Sequence, residues 1–334
     1  MIVTGRSPAA SIRETVELAR LCDRLGYYRY WVSEHHNTDS VAGAAPEVLL
    51  GALAVATQRI RIGAAGIMLP HYSSLKVAEQ FRVLEALAPG RVDLGLGRAP
   101  GSDGRTASAL NPNAAQAADY FPAQVRDVLA WVGGTPLVEG HPFRDVKAQP
   151  QGPGVPEVWV LGSSNYGAQV AAHFGLPYCF AYFFSEGVGA HEALDLYRDT
   201  YQPSERHPTP HSAICVMAIA ADTHAEAERL FVPREVWRAE RERGRYVALP
   251  SPEEAAAYPF TDDERRRNVR LRERALFGTP DVVKSRLTNI AQELGADEVA
   301  VVTATHDVAD RRRSFALLAA AFQLQSEMIA LAAD

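Results

Sequence analysis

The chain has 334 residues, 47% of them hydrophobic and 22% charged, with a formal net charge of −6. That balance is ordinary for a soluble globular protein and speaks against a nucleic-acid surface. The length admits two domains or one α/β barrel with insertions, and no apolar run approaches the roughly 20 residues of a membrane span.

Ser11-Ile12-Arg13-Glu14 has the form of a capping box and predicts a helix that ends at Gly26. A strand over 30–33 and a helix over about 46–57 follow. Residues 59–68 alternate and then turn apolar, as a buried strand does, and a helix over 75–87 stops at Pro89-Gly90. The next strand is 92–96, then a Gly/Ser/Asn/Pro-rich loop over 99–113 and a helix over about 117–132. Beyond an irregular stretch (133–156) the pattern gives a strand at 158–161, a helix at 166–174, a strand at 178–183, a helix at 192–201 and a strand at 213–220.

Residues 224–276 are polar, charged and helical, and read as an insertion; the basic run 265–274 alternates with acids like a solvated helix face. Thr279 as N-cap with Pro280 at the first helical position opens a helix to 294. A strand over 298–303 and a long final helix complete the chain.

Seven strands alternate with helices, and Ile2-Val3-Thr4 is the candidate for an eighth. The alternation implies a parallel sheet with right-handed crossovers. The expected fold is a single (β/α)8 TIM barrel over 1–334, with insertions at its C-terminal face. No GxGxxG follows the first strand, which removes the main argument for a Rossmann domain. Cys22, Cys179 and Cys215 have no CxxC or metal-ligand spacing and read as buried free thiols. The charged segment 12–25 is unlike a signal peptide, so a cytoplasmic location is expected.

The active site of a barrel forms at the carboxyl ends of its strands. Polar and glycine-rich clusters fall there repeatedly: Glu34-His35-His36-Asn37, Leu69-Pro70-His71-Tyr72, Gly97-Arg98, Gly162-Ser163-Ser164-Asn165-Tyr166-Gly167 and Thr305-His306-Asp307. Ser163 to Gly167 joins a strand to a helix and offers free N–H groups to a phosphate, with Arg98 as a second donor; the alternative is a plain serine N-cap. His35 and His36 point opposite ways on a strand end, so one faces the mouth. Proton transfer suits it; a structural histidine beneath a loop is the other reading, and metal binding lacks further ligands. His306-Asp307 could be an acid/base pair or only the cap of the last helix; Asp307 reads as the cap and His306 stays, with His35, a catalytic candidate lining the site, while Trp31, Trp159 and Met68 read as core.

Trp31-Val32-Ser33-Glu34-His35-His36, Gly63-Ala64-Ala65-Gly66-Ile67-Met68-Leu69-Pro70, Gly90 to Arg98, Leu161-Gly162-Ser163-Ser164 and Phe277-Gly278-Thr279-Pro280, in that order, resemble the luciferase-like flavin-dependent monooxygenases, and among them the single-subunit oxidoreductases. The resemblance implies a barrel, often a homodimer, that takes reduced FMN from a separate flavin reductase and O2 as co-substrate. It implies that His35 works near the flavin and that Arg98, Ser163 and Ser164, with Tyr166 and Gly167 beside them, hold the phosphate. It also implies a cis non-proline peptide at about Ala65-Gly66, where small residues admit the isoalloxazine ring. Gly97 stands where luciferase has its reactive cysteine, so light emission is not carried over. The first strand of the family is reduced here to Ile2-Val3-Thr4, a truncated start or a short strand.

The expected activity is hydroxylation, epoxidation or aldehyde oxidation of a small organic substrate, such as a secondary metabolite. Hydride transfer with a deazaflavin and flavin binding without turnover are the alternatives. No metal, nucleic-acid or membrane partner is expected.

Overall fold

A computed structural model describes residues 1–324; the end of the chain, where the final helix was expected to run on, lies outside the described residues. The first helix, α1 (Pro8–Leu25), begins earlier than Ser11. Ser7 is its N-cap, accepting from the Ala10 amide at 3.2 Å, and Pro8 occupies the first turn. Serine followed by proline satisfies cap and first turn together, so the box at Ser11–Glu14 is not used as one. Glu14 is buried instead and takes two bonds, 2.9 and 2.6 Å, from Arg312 of α13 (Val308–Ala321).

Seven strands lie at the places the pattern gives: β1 (Arg29–Val32), β2 (Arg61–Met68), β3 (Val92–Gly97), β4 (Glu157–Gly162), β5 (Tyr178–Phe180), β6 (Ser212–Ala220) and β8 (Glu298–Val302), although β5 is half as long as the expected 178–183, its end turning into a 3-10 helix (Tyr182–Phe184). The eighth is not Ile2-Val3-Thr4, which makes only an isolated bridge between Val3 and Leu249. It is β7 (Leu276–Gly278), which pairs with the last residues of β6, while β8 pairs with Ala213–Met217 of the same strand. A three-residue strand behind a long polar stretch offers no period to read, and edge partners decide it. All the ladders are parallel.

The sheet curls into the TIM-barrel fold, as the contacts of Arg29 on β1 show. Its guanidinium reaches Asp93 of β3 at 2.8 Å, Glu157 of β4 at 2.7 Å and Glu298 of β8 at 2.9 Å, which no flat sheet permits. Arg61 and the Trp31 indole also donate to Asp93, at 2.6 and 2.8 Å. Above this charged floor Trp31 meets Trp159 edge-on, with centroids 5.2 Å apart, in an apolar layer with Cys179 and Cys215. Among the described residues no ladder joins β1 to β8; the Arg29–Glu298 pair spans that seam.

Helices fill the spaces between strands: α2 (Pro46–Ala56), α3 (Ser74–Leu87), α6 (Phe121–Gly133), α7 (Asn165–Phe174), α8 (Ala190–Asp199) and α12 (Pro280–Leu294). The stretch expected as a loop over 99–113 contains α4 (Gly104–Leu110), capped by Asp103, and leads into α5 (Ala114–Asp119). The polar segment after β6 is helical as expected: α9 (His224–Glu242), α10 (Pro252–Ala256) and α11 (Asp262–Arg274). Leu230 and Phe231 of α9 pack with Leu271 and Phe277, so this segment has its own core against β6 and β7. Among the described residues no helix is long and apolar enough to cross a membrane.

His211, at the floor, bonds Glu298 through Nε2 at 2.8 Å, and that bond raises its pKa above 6.5. The folded state therefore binds this proton more tightly than the unfolded chain does. The stabilisation is complete below pH 6.5 and is lost as pH rises through the folded-state value. Between about pH 6 and pH 9, the excess Tm of wild type over His211→Gln is expected to shrink. A constant difference across that range would remove the His211 proton from the stability of the floor.

Candidate active site

Beyond β1 the chain turns through Asn37, at φ 49°, a conformation that asparagine tolerates better than most residues. The turn buries Glu34 almost completely (1% exposed). Its carboxylate accepts from the Tyr72 hydroxyl at 2.6 Å and the Met68 amide at 2.9 Å, and its Oε1 lies 2.7 Å from His36 Nε2. One acid thus ties the end of β1 to the end of β2. His36 faces Glu34, whereas His35 turns Nδ1 toward the Gly101 carbonyl at 3.3 Å. The two neighbours do point apart.

Burial lowers the His35 pKa below 6.5, with smaller contributions in the same direction from His36 and Arg241, against the Gly101 carbonyl and Glu34. The ring is neutral at neutral pH. With Nδ1–H directed at a carbonyl, Nε2 carries the lone pair and can take a proton. His71 bonds the Pro100 carbonyl through Nε2 at 2.8 Å, and Asn37 donates to Asp103 at 3.1 Å, so the segment after β3 is pinned to the first two loops.

The peptide Ala65–Gly66 is cis, at the position the resemblance implies. It coincides with a register shift between β2 and β3 at Ala64 and Ile67. Two glycines make room: a Cβ on Gly95 would sit 2.2 Å from the Ala64 oxygen, and one on Gly66 would sit 2.7 Å from the Gly95 oxygen. The same Gly66 Cβ would be 2.6 Å from Leu161 Cδ1, so this wall abuts the strand that leads to Ser163.

Arg98, exposed just past β3, lies over the Tyr166 ring at 3.9 Å. Tyr166 belongs to the first turn of α7, and Ser164 is the N-cap residue of that helix, yet its side chain makes no capping bond. Ser163 and Ser164 are both exposed. Gly162 and Gly167 fold closely together over Tyr178, whose hydroxyl donates to the Ser164 carbonyl at 3.2 Å. Arg98, Ser163, Ser164, Tyr166 and Gly167 therefore meet at one helix N-terminus. Free hydroxyls, free first-turn amides and a nearby guanidinium suit a phosphate monoester. The residues present fit the phosphate end of a flavin mononucleotide, and the glycine-rich wall beside Gly66 fits a flat ring.

His306 is not drawn into either group. Its Nε2 lies 3.0 Å from the Thr4 carbonyl and 3.1 Å from the Thr4 hydroxyl, and that hydroxyl donates to Glu254 at 2.6 Å. It fastens the N-terminal segment to the loop after β8. Asp307 caps α13 through the Ala309 amide at 2.6 Å, as its place before Val308 implies. The joining role of Glu34 and Tyr72 is not visible in sequence, although both stand in the polar clusters after the first two strands. Among the described residues no group of three or more His, Cys, Asp or Glu could hold a metal ion.

The family model of luciferase-like monooxygenases matches residues 2–298. A luciferase-like monooxygenase of Escherichia coli K12 is 38% identical over 317 residues, covering 95% of this chain and 92% of that protein. The N-acetyl-S-alkylcysteine monooxygenase of Bacillus subtilis is 35% identical over 321 residues, 95% of this chain and 94% of its own. Among solved structures, apo-MsnO8 superposes with a TM-score of 0.87 at 38% identity, covering 97% of this chain and 96% of the other.

Proposed function

The chain belongs to the luciferase-like monooxygenase family, and from that premise we propose that it uses reduced FMN from a separate reductase, with O2, to oxygenate a small organic substrate. The observation that carries the choice of FMN is Arg98 stacked on Tyr166 beside the uncapped Ser163-Ser164 turn. When bound there, reduced flavin supplies the electrons for oxygen activation.

The residues of the chain divide the remaining work. Arg98 and the serine hydroxyls hold the phosphate, and Ala65-Gly66 gives the ring a wall without side chains to displace it. His35 takes and returns a proton at Nε2, while Glu34 holds the loop that carries it. The helices α4 and α9 exclude water from the mouth. The reading includes a single barrel domain, a homodimer and a cytoplasmic setting, each carried by the family resemblance; sedimentation velocity tests the dimer.

Anaerobic titration with reduced FMN and with a reduced deazaflavin, followed by intrinsic fluorescence, tests the cofactor. Preferential binding of reduced FMN is expected. Tight deazaflavin binding with no FMN binding would turn the reading to hydride transfer, and binding of neither would end both. Arg98→Ala is expected to weaken FMN by about tenfold to a hundredfold, the loss of one charge-assisted bond. Riboflavin, which lacks the phosphate, is expected to bind both proteins alike; equal weakening of both ligands would place Arg98 elsewhere than at the phosphate.

A further inference from the structure

Two consecutive carbonyls after β3 serve two histidines that come from different strands. The Pro100 carbonyl accepts from His71 Nε2 at 2.8 Å. The Gly101 carbonyl faces His35 Nδ1 at 3.3 Å, and the His36 amide donates to it at 3.4 Å. His71 closes the 3-10 turn Leu69–His71 that follows β2, and it is buried (7% exposed). A carbonyl only accepts, so the bond to Pro100 puts a proton on His71 Nε2. The other ring nitrogen, Nδ1, is buried as well and has no partner among the described residues. The His36 and Tyr72 rings stand edge-on to His71, each with its centroid 6.1 Å away. A buried polar atom without a partner costs free energy. An apolar ring of the same size would fill the space without that cost. Packing therefore does not account for an imidazole here, and the polar service the ring performs is the bond to Pro100.

That bond bears on His35 through the peptide between Pro100 and Gly101. The proline ring fixes the φ of Pro100, and with its oxygen held the plane of the following peptide is held too. Gly101 itself is the pliant residue: it stands at φ 61° and has no side chain to limit where its carbonyl turns if the plane before it moves. It packs against the ends of β1 and β2, where a Cβ would come within 3.0 Å of the Glu34 oxygen and of Met68 Cγ. The Ser102 hydroxyl also donates to the Pro100 carbonyl, at 3.2 Å, but Ser102 moves with the same segment and cannot tie it to the barrel. Asn37 reaches Asp103 at 3.1 Å on the exposed side. His71 is thus a buried tie, and its own turn is held by Asn111, which donates to the Pro70 carbonyl at 2.8 Å. At 3.3 Å the His35 bond is near the outer limit for a hydrogen bond, so a shift of a few tenths of an ångström in the segment would break it.

We propose that His71 is a positioning residue for His35: by holding the Pro100–Gly101 peptide it keeps the Gly101 carbonyl on His35 Nδ1, so that the proton stays on Nδ1 and Nε2 is bare. Which neutral tautomer an imidazole adopts is set by the hydrogen bond its other nitrogen makes. With the proton on Nε2 instead, the ring has no lone pair there to take another. The charged and polar groups that act on His35 are Glu34 and the Gly101 carbonyl, which favour its protonated form, and His36 and Arg241, which oppose it along with burial. Freeing the segment removes one of the two favouring groups, so His35 then titrates at still lower pH. The assignment rests on the proton-acceptor reading of His35 only for its use in the reaction; the tautomer itself needs neither flavin nor turnover.

The test is nitrogen-15 NMR of the full chain labelled at histidine, in which the protonated and bare nitrogens of a neutral ring resonate far apart. His35→Asn and the His71 variants identify the two rings by the signals they remove. In wild type, above the pH at which His35 titrates, His35 is expected as the Nδ1–H tautomer and His71 with its proton on Nε2. His71→Phe keeps the ring volume and removes the donor. It is expected to lower the ratio of Nδ1–H to Nε2–H at His35 about tenfold, the worth of one hydrogen bond, and to move the His35 titration to lower pH. His71→Gln, whose amide reaches as far as Nε2, is expected to restore most of the ratio. Should His71→Phe not fold, His71→Asn, whose amide is too short for the Pro100 oxygen, takes its place. A histidine that served stability alone would lower the Tm in these variants and leave the His35 tautomer as in wild type. That result, an Nε2–H tautomer at His35 in wild type, or a Gln variant no better than Phe or Asn would overturn the assignment. The FMN titration is read separately: a shifted tautomer in a protein that binds no reduced FMN would sink the flavin reading and leave the hold of His71 on His35 standing.

Discussion

Asp93→Ala is expected to lower the unfolding free energy by about 3–5 kcal/mol, the range for removing one partner of a buried charge network. Asp93 has no exposed surface, and its carboxylate only accepts: from Arg29 at 2.8 Å, from Arg61 at 2.6 and 2.9 Å and from the Trp31 indole at 2.8 Å. Those donors require the ionised form. Without it, two guanidinium groups share Glu157 and Glu298, and the Trp31 N–H is left in an apolar barrel. The location enlarges the effect, because Arg29 also spans the seam between β1 and β8, where among the described residues no ladder holds the strands together. Asp93→Asn keeps an acceptor for the indole and is expected to lose less. Urea unfolding followed by circular dichroism measures both; a loss under about 1 kcal/mol for Asp93→Ala would show that the floor re-pairs freely.

Most of the barrel could be read from the sequence because its signals are local. Buried parallel strands such as 92–97 and 157–162 are short apolar runs between helical periods, and Gly26, Gly175 and Gly295 end their helices in left-handed caps. What could not be read depends on partners far along the chain. β7 is a strand only because Ala218–Ala220 of β6 lies beside it. Glu14 looked like a capping residue because nothing local reveals Arg312. His306 follows a barrel strand as a lining residue would, but Thr4, some 300 residues earlier, occupies its ring nitrogen. The proposed phosphate seat rests on two local signatures, a serine-rich strand-to-helix turn and an arginine after a strand, joined where Arg98 lies over the Tyr166 ring.

His35→Ala is expected to lower kcat by about 10²–10⁴-fold, the usual contribution of a positioned acid–base group, with FMN affinity changed by less than about threefold. The geometry gives the imidazole one orientation. Its backbone amide donates to the Gly43 carbonyl at 2.8 Å, and Nδ1 faces the Gly101 carbonyl. Gly101 holds that carbonyl in place at φ 61°, where a Cβ would come within 3.0 Å of the Glu34 oxygen. The proton-accepting atom is then Nε2, and the neutral ring is the active form. Because burial lowers the His35 pKa below 6.5, activity is expected to stay level through neutrality and to fall only as the pH drops through that lowered value. His35→Asn, which preserves a donor but cannot take a proton, is expected to lose the acid limb along with the rate. A variant that kept the limb would assign it to another group, and the nearest candidate is His36, whose ring faces Glu34. The double comparison of His35→Asn with His36→Asn therefore decides which of two adjacent histidines moves the proton: loss of the limb in the first alone means that the ring beside Gly101 does so, and that the Glu34–His36 pair serves to hold it there.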